Sequence, residues 1–135
     1  MENIVKFCPH CNKVNKPYFI YGYFCTECHM NRQQYPIITL CGSTKFKEEF
    51  LEAQKELTLQ GYIVISVGLF GHADGDYQTV LTEEVKTILD DMHKKKIDMS
   101  HGIFVINKYN YIGNSTRSEI EYAESKGKFV LYMEE

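Results

Sequence analysis

Two short polar segments follow apolar runs and carry groups able to bind an anion. One segment follows PIITLC and comprises Gly42, Ser43 and Thr44, and the other follows GIFVIN and comprises Gly113, Asn114, Ser115 and Thr116. Each precedes a predicted helix, where free backbone N–H groups and the positive end of the helix dipole favour phosphate. The first segment lacks the GxxxxGK[ST] spacing of a P-loop. Capping of the helices by Ser or Thr is the alternative interpretation.

A carboxylate stands close to the second segment. Glu119 and Glu121 lie at the start of the predicted helix, and Arg117 adds a cation that suits a phosphate. The pairs Thr116-x-x-Glu119 and Ser118-x-x-Glu121 also fit a capping box. Glu119 is therefore either a helix-capping residue or a group that acts on a bound ligand.

The cysteines predict a metal site of a different kind. Two CxxC pairs, CPHC and CTEC, supply four thiolates that suit a structural zinc ion, Zn²⁺, and the predicted ligands are Cys8, Cys11, Cys25 and Cys28. Two disulfides or four idle thiols are the alternative. A closed four-cysteine site leaves no position for a substrate and indicates a structural role. The fifth cysteine, Cys41, ends an apolar strand and is interpreted as a small hydrophobic residue.

The elements that must position these residues alternate along the chain. Residues 1–35 are predicted to form a zinc ribbon, and residues 36–135 an α/β domain. Apolar runs predict strands at residues 37–41, 62–67, 103–107 and 129–133, and helical spacing of apolar residues predicts a helix between successive strands. The segment GLFGHADGDYQ after the second strand is predicted as a glycine- and aspartate-rich loop. The apolar face of the amphipathic helix that follows it is marked by Leu81, Val85, Ile88 and Met92. This pattern is typical of a parallel sheet with helices on both faces, in the flavodoxin-like or Rossmann-like class.

The expected strand order brings the two polar segments together. In a flavodoxin-like sheet of order 2-1-3-4, the first and third strands are neighbours at the switch point where such sheets bind ligands. The segments that begin at Gly42 and Gly113 follow these two strands. We therefore expect both segments at one crevice.

Composition limits the class of protein. The chain has 135 residues, 44% of them hydrophobic, with a net charge of -3. That balance disfavours nucleic acid as the partner without excluding a local basic patch. No apolar run reaches the roughly 20 residues of a membrane helix, and the N-terminus lacks a secretory signal. A cytoplasmic protein without a membrane partner is expected.

Several blocks resemble one enzyme superfamily. The segments ITLCGSTKFKEEF, QGYIVISVGLFGH, KIDMSHGIFVIN and YIGNSTRSEIEYAESKGK are similar to the nucleoside 2-deoxyribosyltransferases, a group that includes the 2′-deoxynucleoside 5′-monophosphate N-glycosidases. The resemblance covers about residues 37–133. It implies a glutamate nucleophile four residues before an alanine, which matches Glu119 and Ala123, and sugar- and phosphate-binding roles for Gly42, Ser43, Asn114 and Ser115.

The match has gaps at the acids that would assist catalysis. Family members carry aspartates before the third strand and in the loop ahead of the nucleophile, whereas this chain has His93 near the first position and no aspartate in the loop. Asp98 and His72 are the candidates for protonating the leaving base. The alternative role for Asp98 is to cap or brace the start of the third strand.

Three functions follow. The leading hypothesis is an N-glycosidic-bond enzyme acting on deoxynucleosides or their 5′-monophosphates, by base release or deoxyribosyl transfer. The second is a catalytically silent nucleotide-binding or sensing module, and the third is a zinc-ribbon adaptor for nucleic acid or protein. The resemblance also implies a homo-oligomer, a dimer or larger.

Overall fold

The computed structural model describes residues 35–75 and 82–134. The four cysteines of the predicted zinc ribbon lie outside the described residues. The ribbon and its Zn²⁺ therefore stay predictions. The end of the glycine- and aspartate-rich loop, after residue 75, also lies outside the described residues.

The described chain is built on a four-stranded parallel sheet. Its strands are β1 (Ile37–Gly42), β2 (Ile63–Ile65), β3 (Gly102–Ile106) and β4 (Phe129–Tyr132), in the order β2-β1-β3-β4. All three strand pairs are parallel. The predicted α/β class and the predicted neighbourhood of the first and third strands are confirmed for this part of the chain.

Helices connect the strands and cover the sheet. They are α1 (Lys47–Leu59), the single-turn α2 (Gly71–Asp74), α3 (Glu83–Asp98) and α4 (Asn114–Ser125), with a 3₁₀ turn at Lys108–Asn110. The α2 turn lies in a segment predicted as loop. Four residues are too few to show an apolar period, so this turn carries no helical pattern in the sequence.

Two hydrophobic clusters show that both faces of the sheet are covered. On one face, Ile38 and Leu40 pack with Phe50 and Leu57 of α1. On the other, Ile103 and Val105 pack with Ile97 of α3 and with Ile120 and Ala123 of α4. Every residue of β3 is buried, which explains why its sequence is a continuous apolar run without polar alternation.

The packed face of α3 differs from the predicted one. Ile88 and Met92, expected in the core, are 58% and 46% exposed. The buried residues of this helix are His93 and Ile97. The first turns of α3 border a cleft instead of the sheet, so apolar spacing there does not mark a buried face.

A glycine permits β1 and β3 to end in close contact. Gly42 pairs with Ile106 in the last register of the two strands. A Cβ atom on Gly42 would lie 2.7 Å from the Ile106 carbonyl oxygen, and the φ of Gly42 is +155°. Both the space and the backbone conformation favour glycine there. The loops after β1 and β3 therefore leave the sheet side by side.

No helix in the described part of the chain combines the length and the apolar character needed to cross a bilayer.

A first prediction concerns the contact between β3 and β4. A Cβ atom at Gly102 would lie 2.4 Å from ring carbons of Phe129. We expect Gly102→Ala to lower the free energy of unfolding by about 1–3 kcal/mol, the usual cost of overpacking, in urea denaturation. Because the clash is with the ring, the double variant Gly102→Ala, Phe129→Leu should lose less than the sum of the two single variants. Additive losses would contradict this explanation.

Candidate functional site

A cleft of about 290 Å³ opens where β1 and β3 end. Both polar segments identified in the sequence contribute to its wall, and so do α3 and the segment after β2. The lining residues that bear on its chemistry are Gly42, Ser43, Thr44, His72, Lys86, Asp90, His93, Lys96, Tyr111, Gly113, Asn114, Ser115, Thr116 and Glu119. The expected meeting of the two segments is thus observed.

The first wall is the loop between β1 and α1. The helix begins at Lys47 after Phe46, and no side chain caps it, so Ser43 and Thr44 do not serve as its caps. The Ser43 carbonyl oxygen instead accepts a hydrogen bond from the Phe46 N–H at 3.1 Å. Thr44 Oγ1 accepts one from the His72 backbone N–H at 3.3 Å. The first of these hydrogen bonds stabilises the turn of the loop, and the second connects the loop to α2.

The second wall is the N-terminus of α4. Gly113 is the N-cap residue, and no side chain caps this helix. Thr116 and Glu119 consequently lie inside the helix, with Thr116 buried. The capping-box interpretation of Thr116-x-x-Glu119 is wrong for this helix. The N–H groups of its first turn face the cleft without a side-chain cap, as an anion-binding helix end requires.

An aromatic residue bridges the two walls. Tyr111 lines the cleft, and the Lys45 ammonium nitrogen lies 3.7 Å from the centre of its ring. Phe46 meets the same ring edge-on, with centroids 6.1 Å apart. These contacts fix the tyrosine against the first loop, in a position to contact a planar base.

The turn between β3 and Tyr111 is conformationally strained. Tyr109 and Asn110 both have a φ of +59°. The Asn110 N–H donates to the Glu134 carboxylate at 3.1 Å, and Lys108 pairs with Glu49 of α1 at 2.6 Å. The hydrogen bond with Lys108 lowers the pKa of Glu49. These contacts hold the turn in a left-handed conformation that non-glycine residues rarely adopt.

Glu119 lies at the base of the cleft, with its side chain 15% exposed. Burial raises its pKa to about 7, and the nearby Asp90 contributes in the same direction. A hydrogen bond with Cys41 and the charges of Lys94 and Lys96 act in the opposite direction. Near neutral pH, both the carboxyl and the carboxylate forms are therefore present.

Cys41 and His93 are the immediate neighbours of Glu119. His93 Nε2 lies 3.3 Å from Cys41 Sγ and 3.7 Å from Glu119 Oε1. Burial lowers the pKa of His93 to about 4, so the imidazole is neutral and its contact with Glu119 is not an ion pair at neutral pH. Burial, and then the charge and hydrogen bond of Glu119, raise the pKa of the Cys41 thiol.

Lys96 supplies a cation beside this group. Its ammonium nitrogen donates to the Ser66 carbonyl oxygen at 2.9 Å, which connects α3 to the end of the β2 segment. Burial lowers the pKa of Lys96, and the charge of Glu119 partly offsets that effect. Ser100, just after the end of α3, shares a 2.5 Å hydrogen bond with Thr39 of β1 and so connects the end of this helix to the sheet.

Two residues predicted for the site are not part of the cleft. Asp98 is the last residue of α3 and lies at the opposite end of the strands from the cleft. There it accepts a hydrogen bond from the Tyr122 hydroxyl at 2.7 Å. Parallel strands place the C-terminus of a crossover helix near the start of the next strand, which explains this location. Arg117 is exposed and does not line the cleft. His72, by contrast, lines the cleft.

The sequence interpretation missed the contribution of α3. Lys86, Asp90, His93 and Lys96 all line the cleft, and they recur every three or four residues on one side of the helix. Such spacing marks a common helical face. The signal available in the sequence was this spacing, which places the titratable residues on the same helical face as the buried Ile97.

Potential ligands for a metal are also brought together. Cys41, His93 and Glu119 form a group whose donor atoms all lie within 4.8 Å of one another. The two helix-start segments offer donors for phosphate, and the side chains between them offer acids, a cation and a neutral imidazole. Such a cleft suits a small anionic or polar ligand.

Comparison of the chain with protein-family models, with curated proteins and with solved structures returned no match. The functional assignment therefore rests on the residues and geometry of the cleft.

The burial of Cys41 generates a second prediction. A thiol that is 0% exposed and held protonated should react with a disulfide reagent only when the protein opens. Wild-type protein and Cys41→Ala should therefore show equal numbers of rapidly labelled thiols in native, chelator-containing buffer. After denaturation the wild type should show one more. A difference of one thiol already in native buffer would disprove the described burial.

Proposed function

We propose that the protein acts on the N-glycosidic bond of deoxynucleosides or deoxynucleoside 5′-monophosphates through Glu119. The observation that carries the proposal is the position of this carboxylate, at the base of a cleft between the polar loop after β1 and the N-terminus of α4. The resemblance to nucleoside 2-deoxyribosyltransferases supports the same reaction.

The chemistry requires a carboxylate below the sugar. In the first step, a Glu119 oxygen would form a bond to C1′ while the bond from C1′ to the base nitrogen breaks and a proton is delivered to the base. In the second step, water or the nitrogen of another base would attack C1′, lose its proton and release Glu119. Splitting the displacement in this way is the strategy of retaining glycosidases.

The substrate would span the cleft between its two walls. The hydroxyls of Ser43 and Ser115 and the uncapped N–H groups of α4 would bind the sugar or the 5′-phosphate. Tyr111, fixed by Lys45, would contact the base. Small residues at Gly42 and Gly113 would let the substrate approach the backbone closely.

Of the two residues expected to deliver the proton to the base, His72 lines the cleft and Asp98 does not. Asp98 is replaced in this role because it lies at the far end of α3. His72 and Asp90 both line the cleft. The proposal assigns leaving-group protonation to this pair.

A nucleotide-binding module without turnover is the second candidate. The loop between β3 and α4 contains no aspartate, and the cleft replaces the expected acid near Glu119 with the neutral His93. Both features favour a protein that binds a nucleotide without activating its leaving group. Tight binding of a deoxynucleotide with no base release over hours would identify this function.

A third prediction tests the nucleophile. Glu119→Gln preserves side-chain size but removes the attacking oxygen anion, so release of free base from a deoxynucleotide panel should fall about a hundredfold or more. The matched control is Glu121→Gln, because Glu121 is exposed on the same helix and does not line the cleft. Base release is measured by chromatography. Unchanged turnover in the Glu119 variant would eliminate the proposed role.

A fourth prediction separates phosphate from sugar recognition. If Ser115 binds a 5′-phosphate, Ser115→Ala should raise the KM for the monophosphate about tenfold or more, since hydrogen bonds to charged groups contribute about 1.5–3 kcal/mol. The KM for the unphosphorylated deoxynucleoside should change little. Equal changes for both substrates would assign Ser115 to the sugar instead.

A further inference from the structure

Three metal-ligating side chains converge at the base of the cleft from three separate elements. Cys41 comes from the end of β1, His93 from the middle of α3 and Glu119 from α4. Their donor atoms, Sγ, Nε2 and a carboxylate oxygen, lie within 4.8 Å of one another. Packing of the helices onto the sheet holds the three donors at this spacing.

The spacing is close to that of a tetrahedral zinc site. Zinc bonds of about 2.3 Å to sulfur and about 2.0–2.2 Å to nitrogen and oxygen place neighbouring donors about 3.3–3.6 Å apart. The observed distances are 3.3 Å between Cys41 Sγ and His93 Nε2 and 3.7 Å between His93 Nε2 and Glu119 Oε1. These two distances are within a few tenths of an ångström of the metal geometry, and the third, from Cys41 Sγ to the Glu119 carboxylate, is within 4.8 Å.

The group of three ligands is buried on one side and open to the cleft on the other. Cys41 is 0% exposed and His93 is 8% exposed, whereas Glu119 and His93 also line the cleft. Three protein ligands with a fourth position facing a cleft are the arrangement of zinc sites that bind water or substrate. The group therefore differs from a closed four-cysteine site, which leaves no position for water or substrate.

Charge and ligand type restrict the metal. Thiolate and imidazole together favour zinc over magnesium or calcium, which prefer oxygen ligands. A thiol loses its proton when it binds a metal. A thiolate and a carboxylate then balance the two charges of Zn²⁺. The neighbouring Lys96, whose ammonium group is bonded to the Ser66 carbonyl, consequently faces a neutral site.

We propose that Cys41, His93 and Glu119 form a second metal site, separate from the cysteines predicted to bind structural zinc, and that it takes Zn²⁺ or a similar divalent transition metal. Binding there uses the carboxylate oxygen that the proposed reaction needs. Zinc at this site would therefore inhibit base release, a consequence that rests on the proposed function. The metal site itself does not depend on that function.

Metal content of the full chain tests the site directly. Wild-type protein, Cys41→Ser and His93→Gln are incubated with excess Zn²⁺, desalted and analysed for zinc per chain. The wild type should retain one equivalent more than either variant, and the control His72→Gln, altered elsewhere in the cleft, should match the wild type. Equal zinc content in the wild type and both ligand variants would overturn the proposal.

A spectroscopic measurement covers the case in which a core variant unfolds. Glu119→Gln changes a partly exposed residue and is checked by circular dichroism beside the wild type. With Co²⁺ as the probe, the spectrum of the wild type minus that of Cys41→Ser should show a thiolate-to-cobalt absorption band, because the contribution of the cysteines of the predicted ribbon cancels in this difference. The affinity of that cobalt should fall at least about tenfold in Glu119→Gln, since loss of a ligand typically has this effect or a larger one. An unchanged cobalt titration in the folded Glu119→Gln protein would exclude the carboxylate as a ligand.

Failure of the metal site and failure of the proposed function give different results. If no variant or substrate yields base release, the proposed function is lost, while the extra zinc equivalent still supports the site. If base release occurs without any extra zinc, the metal site is lost and the enzyme proposal stands. If both are present, base release should fall as the extra equivalent binds.

Discussion

The pairing of β1 with β3 is the constraint on which the cleft depends. Their last register joins Gly42 to Ile106, so the segments that follow both strands emerge next to each other. The absence of a Cβ atom at Gly42 permits this approach, which any larger residue would obstruct through the Ile106 carbonyl. The same strand places Cys41 beneath the cleft, between α3 and α4. The pairing of β1 with β3 therefore positions both the polar segments that line the cleft and the buried Cys41 beneath it.

Much of this arrangement follows from local pattern and general rules of connection. Continuous apolar runs at β1 and β3 indicated buried strands, right-handed crossovers indicated a parallel sheet, and the flavodoxin-like strand order made the two strands neighbours. Those inferences are sufficient to bring Ser43 and Ser115 to the same cleft. The start of α4 was less predictable, because Thr116 and Glu119 fit a capping pattern that the helix does not use once it begins at Asn114. Local hydrogen-bond patterns are ambiguous by several residues when two possible helix starts are adjacent.

The sequence interpretation did not predict the buried titratable cluster. Helical spacing predicted that Ile88 and Met92 would face the core, but the helix borders a cleft over its first turns and buries His93 and Ile97 lower down. Which face a helix buries depends on its tilt and on the loops above the sheet, and neither is encoded in the period of apolar residues. Cys41 illustrates the same limit. An apolar run explains its burial, but only the tertiary packing of α3 and α4 gives it a histidine and a carboxylate as neighbours.

The left-handed turn at Tyr109 and Asn110 has a consequence for recognition. The left-handed conformation costs a residue such as Tyr109 about 1–2 kcal/mol of backbone free energy and costs Asn110 less, because asparagine tolerates it. Bonds to Glu134 and the pairing of Lys108 with Glu49 offset this cost. That cost is met during folding, so the rim that carries Tyr111 has its shape before any ligand arrives. Preorganisation of this kind reduces the entropy lost on association. The rim should therefore discriminate between ligands by shape, as a rigid template does.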